Sequence, residues 1–208
     1  MTTVKLNESK ESGVQVGSDQ LVDERTMEEV ESIGVFDEEG NERPFGGLIR
    51  HGKVCVIFIR HFLCGYCQDY VSALKGQFSV EKLKDRRILI IGCGNWTSIK
   101  PYRELIDCPF PIYSENTRQL YDKLGMICNL DPGDSKNEGN YITKSLTATI
   151  VSSITNGIKM GPRAFLQGGK ITQLGGEFIF VEGKCKLAHR MKNTRDHLEP
   201  KELEDEFL

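Results

Sequence analysis

Cys64 and Cys67 are two cysteines separated by only two residues, Gly65 and Tyr66. A β-branched apolar run precedes the pair and a helical pattern follows it, so Cys64 is expected at the N-terminus of a helix. The unsatisfied N–H groups and partial positive charge of that position stabilise a thiolate and lower the pKa of the thiol. We therefore predict thiol–disulfide chemistry, with Cys64 as the more exposed nucleophile and Cys67, one turn along, as the buried resolving thiol.

The residues just before the pair fit the same chemistry. Arg60 and His61 are expected to add positive potential near Cys64. The cysteine spacing would also suit half of a zinc site, but zinc usually needs a second pair of ligands, and the sequence has no second CxxC. Redox chemistry without a metal or a cofactor is the prediction, and a structural zinc knuckle is the alternative.

Other residues are open to more than one interpretation. Cys93 follows the second buried strand and so falls at the carboxyl edge of the predicted sheet, where the sites of α/β proteins form. It is either a third redox thiol or a buried structural cysteine. His51, His189 and His197 are further candidates, but a single histidine is more often a surface or hydrogen-bonded residue than a catalytic one. The sequence alone assigns them no role.

The elements that must position the pair can be read from hydrophobic spacing. Residues 54–59 and 88–92 have the length and β-branching of strands buried on both faces, as in a parallel sheet. Between them, residues 68–78 carry apolar side chains at helical spacing. The remaining predicted elements are a strand pair within 34–45, helices at 98–106, 116–124 and 141–154, a strand at 111–113, a hairpin of 177–181 and 185–190, and a closing helix at 200–207.

The order of these elements predicts an α/β fold with a central mixed sheet flanked by helices and an antiparallel edge. Residues 126–170 interrupt the alternation and are interpreted as an insertion before the terminal hairpin. Residues 1–30 are polar and acidic with few large apolar side chains, which is typical of a disordered tail. The predicted organisation is therefore an acidic tail at 1–30 and one domain at 31–208.

Charge and hydropathy exclude several function classes. The net charge of the 208 residues is -3, and no block of Lys and Arg stands out, so neither nucleic acid nor a membrane surface is an expected partner. Residues 1–32 lack the apolar run of a signal peptide, and the run at 54–59 is too short to cross a bilayer. The expected location is the cytoplasm. Disulfide frameworks are rare in that compartment, so the seven cysteines are not expected to form one.

Three segments resemble a known family, the peroxiredoxin-like AhpC/TSA antioxidant-domain proteins. The similar segments are VIFIRHFLCGYC at 56–67, LYDKLGM at 120–126 and GGEF at 175–178. The resemblance implies a thioredoxin-like fold, a redox centre at Cys64 and Cys67, protein disulfides or small peroxides as substrates, and the thioredoxin or glutathione system as reductant. Prostamide/prostaglandin F synthases belong to the same neighbourhood, so reduction of a prostaglandin-type endoperoxide is an alternative implied activity.

The sequence departs from the better-known relatives at several positions. A peroxiredoxin carries Pro and Thr before its reactive cysteine, where Ile57 and His61 stand here, and its Arg before the late strand is replaced by Gly175. A thioredoxin has a buried Asp at the position of Phe58 and a cis-Pro before the late strand, where no proline stands here. A thioredoxin-fold binding module without turnover is therefore a further alternative. Glu177 is either a proton acceptor or a plain turn residue.

Overall fold

The computed structural model describes residues 16–134, 139–142 and 146–208 of the chain. Within them the strands form one mixed sheet, in the spatial order β2-β1-β5-β4-β3-β6-β7. Strands β3, β4 and β5 are parallel, β6 is antiparallel to β3, and β6 and β7 form the terminal hairpin. The strands are β1 (Gly34–Phe36), β2 (Glu42–Pro44), β3 (Lys53–Ile59), β4 (Arg87–Gly92), β5 (Ile112–Ser114), β6 (Gly176–Val181) and β7 (Lys184–Arg190).

Helices cover both faces of this sheet, and two of them make the crossovers between its parallel strands. Helix α3 connects β3 to β4, and α5 connects β4 to β5. The α/β class and the mixed sheet predicted from the sequence are confirmed. The helices are α1 (Glu24–Glu31), α2 (Phe45–Ile49), α3 (Gly65–Gln77), α4 (Val80–Leu83), α5 (Ile99–Ile106), α6 (Gln119–Lys123), α7 (Leu146–Lys159), α8 (Pro162–Gln167) and α9 (Pro200–Phe207).

The central strand β3 is buried on both faces, as its continuous apolar run predicts. Alternate side chains of a strand point to opposite faces. Cys55, Ile57 and Ile59 therefore join a core beneath α3, α5 and α9. Val54 and Phe58, on the opposite face, join a second core beneath α1, α2 and α6. The two cores fix the carboxyl end of β3, from which the chain enters the cysteine pair.

Phe58 is the largest side chain of β3 and is fully buried. Its ring meets Tyr121 and Phe178 edge-on, with centroid distances of 5.2 and 5.5 Å. We expect Phe58→Ala to lower the free energy of unfolding by about 3–5 kcal/mol, because it removes buried apolar surface and leaves a cavity. Urea denaturation measures this loss. Leu130→Ala, at an exposed position, is the matched control and is expected to change stability by less than about 0.5 kcal/mol.

The described part of the predicted tail contains a helix, since residues 24–30 belong to α1. Residues 1–15 lie outside the described residues. Helix α1 starts after Asp23, whose Oδ1 accepts a hydrogen bond of 2.7 Å from the Thr26 N–H, and it buries Met27 and Val30. The buried guanidinium of Arg190 also binds backbone carbonyls of residues 17–20. An N-cap and two apolar residues three positions apart are enough to form this helix, because tertiary contacts supply the remaining stability.

The predicted insertion holds more helix than its pattern indicates. The expected helix at 141–154 is displaced, since α7 runs from Leu146 to Lys159 and residues 143–145 lie outside the described residues. Helix α8 was not predicted because Gly161 and Gly168, which flank it, read as loop residues. The short helix α4 was also not predicted. Helix α7 contacts α3, so part of the insertion lies against the helix that carries the cysteine pair.

Candidate functional site

Cys64 lies at the junction between β3 and α3, as its position in the sequence predicts. It is the N-cap of α3, with extended backbone angles of φ -76° and ψ 110°. Its Sγ accepts a hydrogen bond of 3.4 Å from the Cys67 N–H. The sulfur therefore satisfies one of the free N–H groups of a helix of 13 residues. An anion at this position is favoured by the helix dipole.

Arg60 brings a positive charge directly to this sulfur. Its Nη1 lies 3.4 Å from Cys64 Sγ, and the side chain is buried. Two carbonyl groups hold the rest of the guanidinium, Gln173 O at 3.2 Å from Nε and Ile171 O at 2.8 Å from Nη2. Because these two bonds hold Nε and Nη2, the guanidinium is fixed with Nη1 toward the thiol. The structure thus places Arg60 where the sequence analysis expected its charge to act.

The two thiols differ in their acidity. Burial tends to raise the pKa of Cys64, but the hydrogen bond from the Cys67 thiol and the charge of Arg60 outweigh it and hold this pKa well below its usual range. Burial raises the pKa of Cys67 well above its usual range, and the neighbouring Cys64 sulfur raises it further. The negative charge therefore resides on Cys64 and the proton on Cys67. Both sulfurs are free thiols here.

His61 has a smaller influence on the pKa of Cys64 than Arg60 has. Its side chain is buried, and burial lowers its pKa to about 4, so the imidazole is neutral at neutral pH. Among the described residues, its Nδ1 has no hydrogen-bond partner. Arg60 is therefore the main source of positive charge at Cys64, ahead of His61.

Cys64 is less exposed than expected, because part of the insertion covers it. Its exposed fraction is 3%, against 0% for Cys67. Ser153 Oγ of α7 accepts a hydrogen bond of 3.0 Å from the Gly65 N–H, at the first turn of α3. The loop after α8 contributes the Ile171 carbonyl that holds Arg60. Two more bonds join this cover to the site, from Asn156 Nδ2 to Gln68 Oε1 and from the Phe62 N–H to the Gly168 carbonyl.

Cys67 contacts a buried histidine, which in turn contacts a buried carboxylate, and the sequence analysis did not bring these residues together. His197 Nε2 lies 3.5 Å from Cys67 Sγ, and His197 Nδ1 lies 2.5 Å from Glu177 Oε1. Both side chains are fully buried. The His197 ring stacks on Tyr70 of α3, with a centroid distance of 4.1 Å and an interplanar angle of 6°. In the sequence, Glu177 was the one indication of this buried pair, since it is the single charged residue of the apolar strand β6.

None of the remaining candidate residues, all of which the structure describes, forms a hydrogen bond with Cys64 Sγ or Cys67 Sγ. Cys93 is buried, and burial raises its pKa to about 11, which favours the structural interpretation of this thiol. Cys128 is the exposed cysteine, and its thiol donates to Gln173 Oε1 at 3.3 Å. His51 is exposed. His189 Nε2 lies 3.9 Å from Glu177 Oε2, whereas His197 contacts the other carboxylate oxygen, Oε1.

Gly175 explains why no larger residue stands before β6. A Cβ atom at this position would lie 1.9 Å from the Phe58 carbonyl oxygen, so a side chain would push β6 away from β3. The described residues contain no cis peptide bond. The segment before β6 therefore packs against the site without the cis-proline of a thioredoxin. This close approach also sets the position of Glu177 two residues later.

Two further structural findings bear on the alternatives. Across the described ranges, no group of three or more His, Cys, Asp or Glu side chains is arranged to hold a metal ion. No helix in the described part of the chain has the length and apolar character needed to cross a membrane.

Comparison with known proteins places this site in a family context. A family model described as AhpC/TSA antioxidant enzyme matches residues 74–193, which begin after the cysteine pair. The chain is 31% identical over 170 residues to peroxiredoxin-like 2C of Mus musculus, which covers 81% of this chain and 74% of the mouse protein. The Homo sapiens protein of the same name gives the same identity and coverage.

A solved structure is similar in fold. Peroxiredoxin Q of Xanthomonas campestris has a TM-score of 0.51 and a sequence identity of 12%, and the match covers 90% of this chain and 94% of that protein. At this identity the likeness concerns the fold alone. It confirms the thioredoxin-like α/β architecture predicted from the sequence.

Proposed function

Because the chain belongs to the peroxiredoxin-like AhpC/TSA family of antioxidant enzymes, we propose that it is a thiol–disulfide oxidoreductase that works through Cys64 and Cys67. The observation that carries the proposal is the unequal acidity of the two thiols, with Arg60 3.4 Å from Cys64 Sγ. An exchange enzyme needs a thiolate to attack and a protonated thiol held in reserve beside it.

The proposed reaction has two steps. The Cys64 thiolate attacks one sulfur of a substrate disulfide, forming a mixed disulfide and releasing the first substrate thiolate. Cys67 then loses its proton and attacks Cys64 Sγ, which releases the second substrate thiolate and leaves a Cys64–Cys67 disulfide. A small peroxide enters the same cycle, since attack on its O–O bond gives an alcohol or water and a Cys64 sulfenic acid that Cys67 resolves with loss of water. The substrate is reduced by two electrons and the pair is oxidised.

Recycling requires an external dithiol or thiol reductant. We assign this role to the thioredoxin or glutathione system of the cytoplasm, which would return the Cys64–Cys67 disulfide to two thiols.

A binding module with incidental thiols fits these surroundings less well. Burying a guanidinium group costs several kcal/mol unless an anion and hydrogen bonds compensate it. Arg60 is buried with one edge toward Cys64 Sγ. A structural cysteine has no need of such a neighbour, whereas a thiolate nucleophile supplies the compensating charge.

The variant Cys67→Ser tests the proposal, because it stops the cycle at the mixed disulfide. With a purified protein disulfide such as insulin, we expect a stable adduct on Cys64 that dithiothreitol releases, detected by non-reducing electrophoresis and peptide mass spectrometry. The double variant Cys64→Ser/Cys67→Ser is expected to give no adduct. Cys128→Ser in the same background controls for the exposed thiol and is expected to retain the adduct.

Two results would overturn the proposal. One is an adduct that forms on Cys128 and not on Cys64. The other is wild-type protein that, after one equivalent of disulfide or hydroperoxide, contains no Cys64–Cys67 linkage. Parallel reactions with hydrogen peroxide, an organic hydroperoxide and a prostaglandin endoperoxide rank the substrate classes by rate.

A further inference from the structure

The resolving step needs a base, and the thiol that must ionise is the one held protonated. Cys67 is fully buried, and burial raises its pKa well above the usual range. Water therefore removes this proton slowly at neutral pH. The strand β3, which leads into the cysteine pair, carries the apolar residues Ile57 and Phe58 near its carboxyl end and offers no base there. The base has to come from another element.

His197 is the basic group that touches the Cys67 sulfur. Its Nε2 lies 3.5 Å from Cys67 Sγ, within the range of a hydrogen bond to sulfur. Its Nδ1 faces Glu177 Oε1 at 2.5 Å. A carboxylate can only accept, so the proton of a neutral His197 sits on Nδ1, and Nε2 presents a lone pair to the thiol. The ring is locked in this orientation by stacking on Tyr70.

We propose that Glu177 and His197 form a proton relay for Cys67, in which His197 Nε2 takes the thiol proton as Cys67 attacks Cys64, and Glu177 holds the imidazole in the accepting tautomer and stabilises its charge. This relay rests on the exchange function proposed above. His197 is the catalytic residue, since it touches a reacting atom, and Glu177 is a positioning residue. The proton passes from Cys67 to His197 and later to the departing substrate thiolate or to water.

The geometry also explains when the relay acts. In the reduced pair the Cys67 thiol donates to the Cys64 sulfur, and this bond helps to keep Cys64 ionised. Once Cys64 is part of a mixed disulfide, its sulfur carries no charge and is a weak acceptor. The proton of Cys67 then has His197 Nε2 as its better acceptor. The same thiol thus supports the first step and is deprotonated only in the second.

Several titratable groups face the relay from the elements packed around it. Burial raises the pKa of Cys55, Tyr70 and Tyr141, so these three stay neutral near pH 7. For His189, burial acts against the charged form, but the charge of Glu177 together with the contacts to Asp196 and Asp19 outweighs it and raises the pKa. His189 is therefore a flanking group whose charge changes with pH, and the pH profile has to be compared with that of a His189 variant. The facing groups are Cys67 and Tyr70 of α3, Cys55 of β3, His189 of β7, and Tyr141 and Glu199 of the flanking segments.

A chromogenic aromatic disulfide, dithiobis(nitrobenzoate), separates the two steps in one stopped-flow trace. Attack by Cys64 releases the first coloured thiolate, and attack by Cys67 releases the second. We expect His197→Gln to leave the first release at the wild-type rate and to slow the second by about 100-fold at pH 7, the usual contribution of a general base. Substoichiometric reagent and mass spectrometry place the adduct on Cys64.

The pH profile distinguishes a relay from a merely structural pair. Without an internal base, the second release in His197→Gln should follow solvent deprotonation of Cys67 and rise about tenfold for each pH unit near neutrality. The wild-type profile is expected to be flatter. Glu177→Gln keeps the size of the side chain, removes its charge, and should slow the second release alone. His189→Gln, beside the same carboxylate, should leave the ratio of the two rates unchanged.

The outcomes are separable. Equal second-release rates and equal pH slopes in wild type and His197→Gln overturn the relay and leave the exchange function standing. If Cys64 gives no first release in the wild-type protein, the exchange function itself fails. Near-UV circular dichroism shows whether His197→Gln folds. If it does not fold, the second-release rate of Glu177→Gln and the wild-type pH profile test the relay instead. Addition of imidazole to His197→Ala is expected to restore the second release, and a structural defect would not respond in this way.

Discussion

Cys64→Ser is expected to lower turnover of disulfide or peroxide substrates by at least about 10³-fold, the scale of effect seen when a nucleophile is removed from a catalytic group that acts as a unit. A serine hydroxyl cannot form the mixed disulfide, and at neutral pH it is protonated even at the N-cap of α3, beside Arg60. NADPH consumption, coupled through thioredoxin reductase and thioredoxin or through the glutathione system, measures the loss.

The control for this prediction is another buried cysteine of the same core. Cys108 is buried in the core beneath α3, and burial raises the pKa of its thiol. Cys108→Ser is therefore expected to keep most of the turnover, with some loss of stability. Turnover in Cys64→Ser equal to that of the Cys108 variant would show that the chemistry lies elsewhere, with Cys93 and Cys128 as the next thiols to test.

The junction that carries Cys64 was predictable because it depends on short-range pattern. The run at β3 is continuous and β-branched, and the helical spacing after Cys67 is regular, so the strand, the helix and the N-cap position follow from local physics. The proximity of Arg60 to Cys64 follows from the same turn, since the two residues are four positions apart. The hairpin of β6 and β7 was equally local.

The parts that were missed depend on contacts between distant positions. His197 and Cys67 are 130 residues apart, and no periodicity in the sequence links them. The cover over Cys64 comes from α7 and the loop after α8, whose Ser, Thr and Gly content gives weak local signals. The role of α1 was hidden for the same reason, since its two buried residues gain their stability from the domain beneath them.

The segment that covers Cys64 also lies next to the carbonyls that hold Arg60. Cys64 has an exposed fraction of 3%, and Ser153 of α7 accepts a hydrogen bond from the first turn of α3. The carbonyls that hold Arg60 belong to residues 171 and 173, next to the same cover. Access of a substrate to Cys64 and the placement of the guanidinium are therefore coupled through one segment. Arg60 is the residue whose replacement reports on both.

Arg60→Met is expected to slow alkylation of Cys64 by at least about 100-fold at pH 7, since each unit of thiol pKa changes the thiolate fraction tenfold below the pKa. The sign follows from the balance at this sulfur. Burial raises the pKa of Cys64, and the Cys67 thiol together with the charge of Arg60 lowers it. Removing the charge of Arg60 takes away one of the influences that lower the pKa of Cys64, so this pKa rises toward its ordinary value.

The measurement is the rate of iodoacetamide modification of Cys64 against pH, resolved by mass spectrometry from that of the exposed Cys128. The wild-type rate should stay high as the pH falls below 7, whereas the Arg60→Met rate should fall tenfold per unit across the same range. Arg60→Lys keeps the charge but not the fork that binds both carbonyls, so its profile should lie between the two. If Arg60→Met lowers the rate equally at every pH, the guanidinium positions the cover and does not set the thiolate.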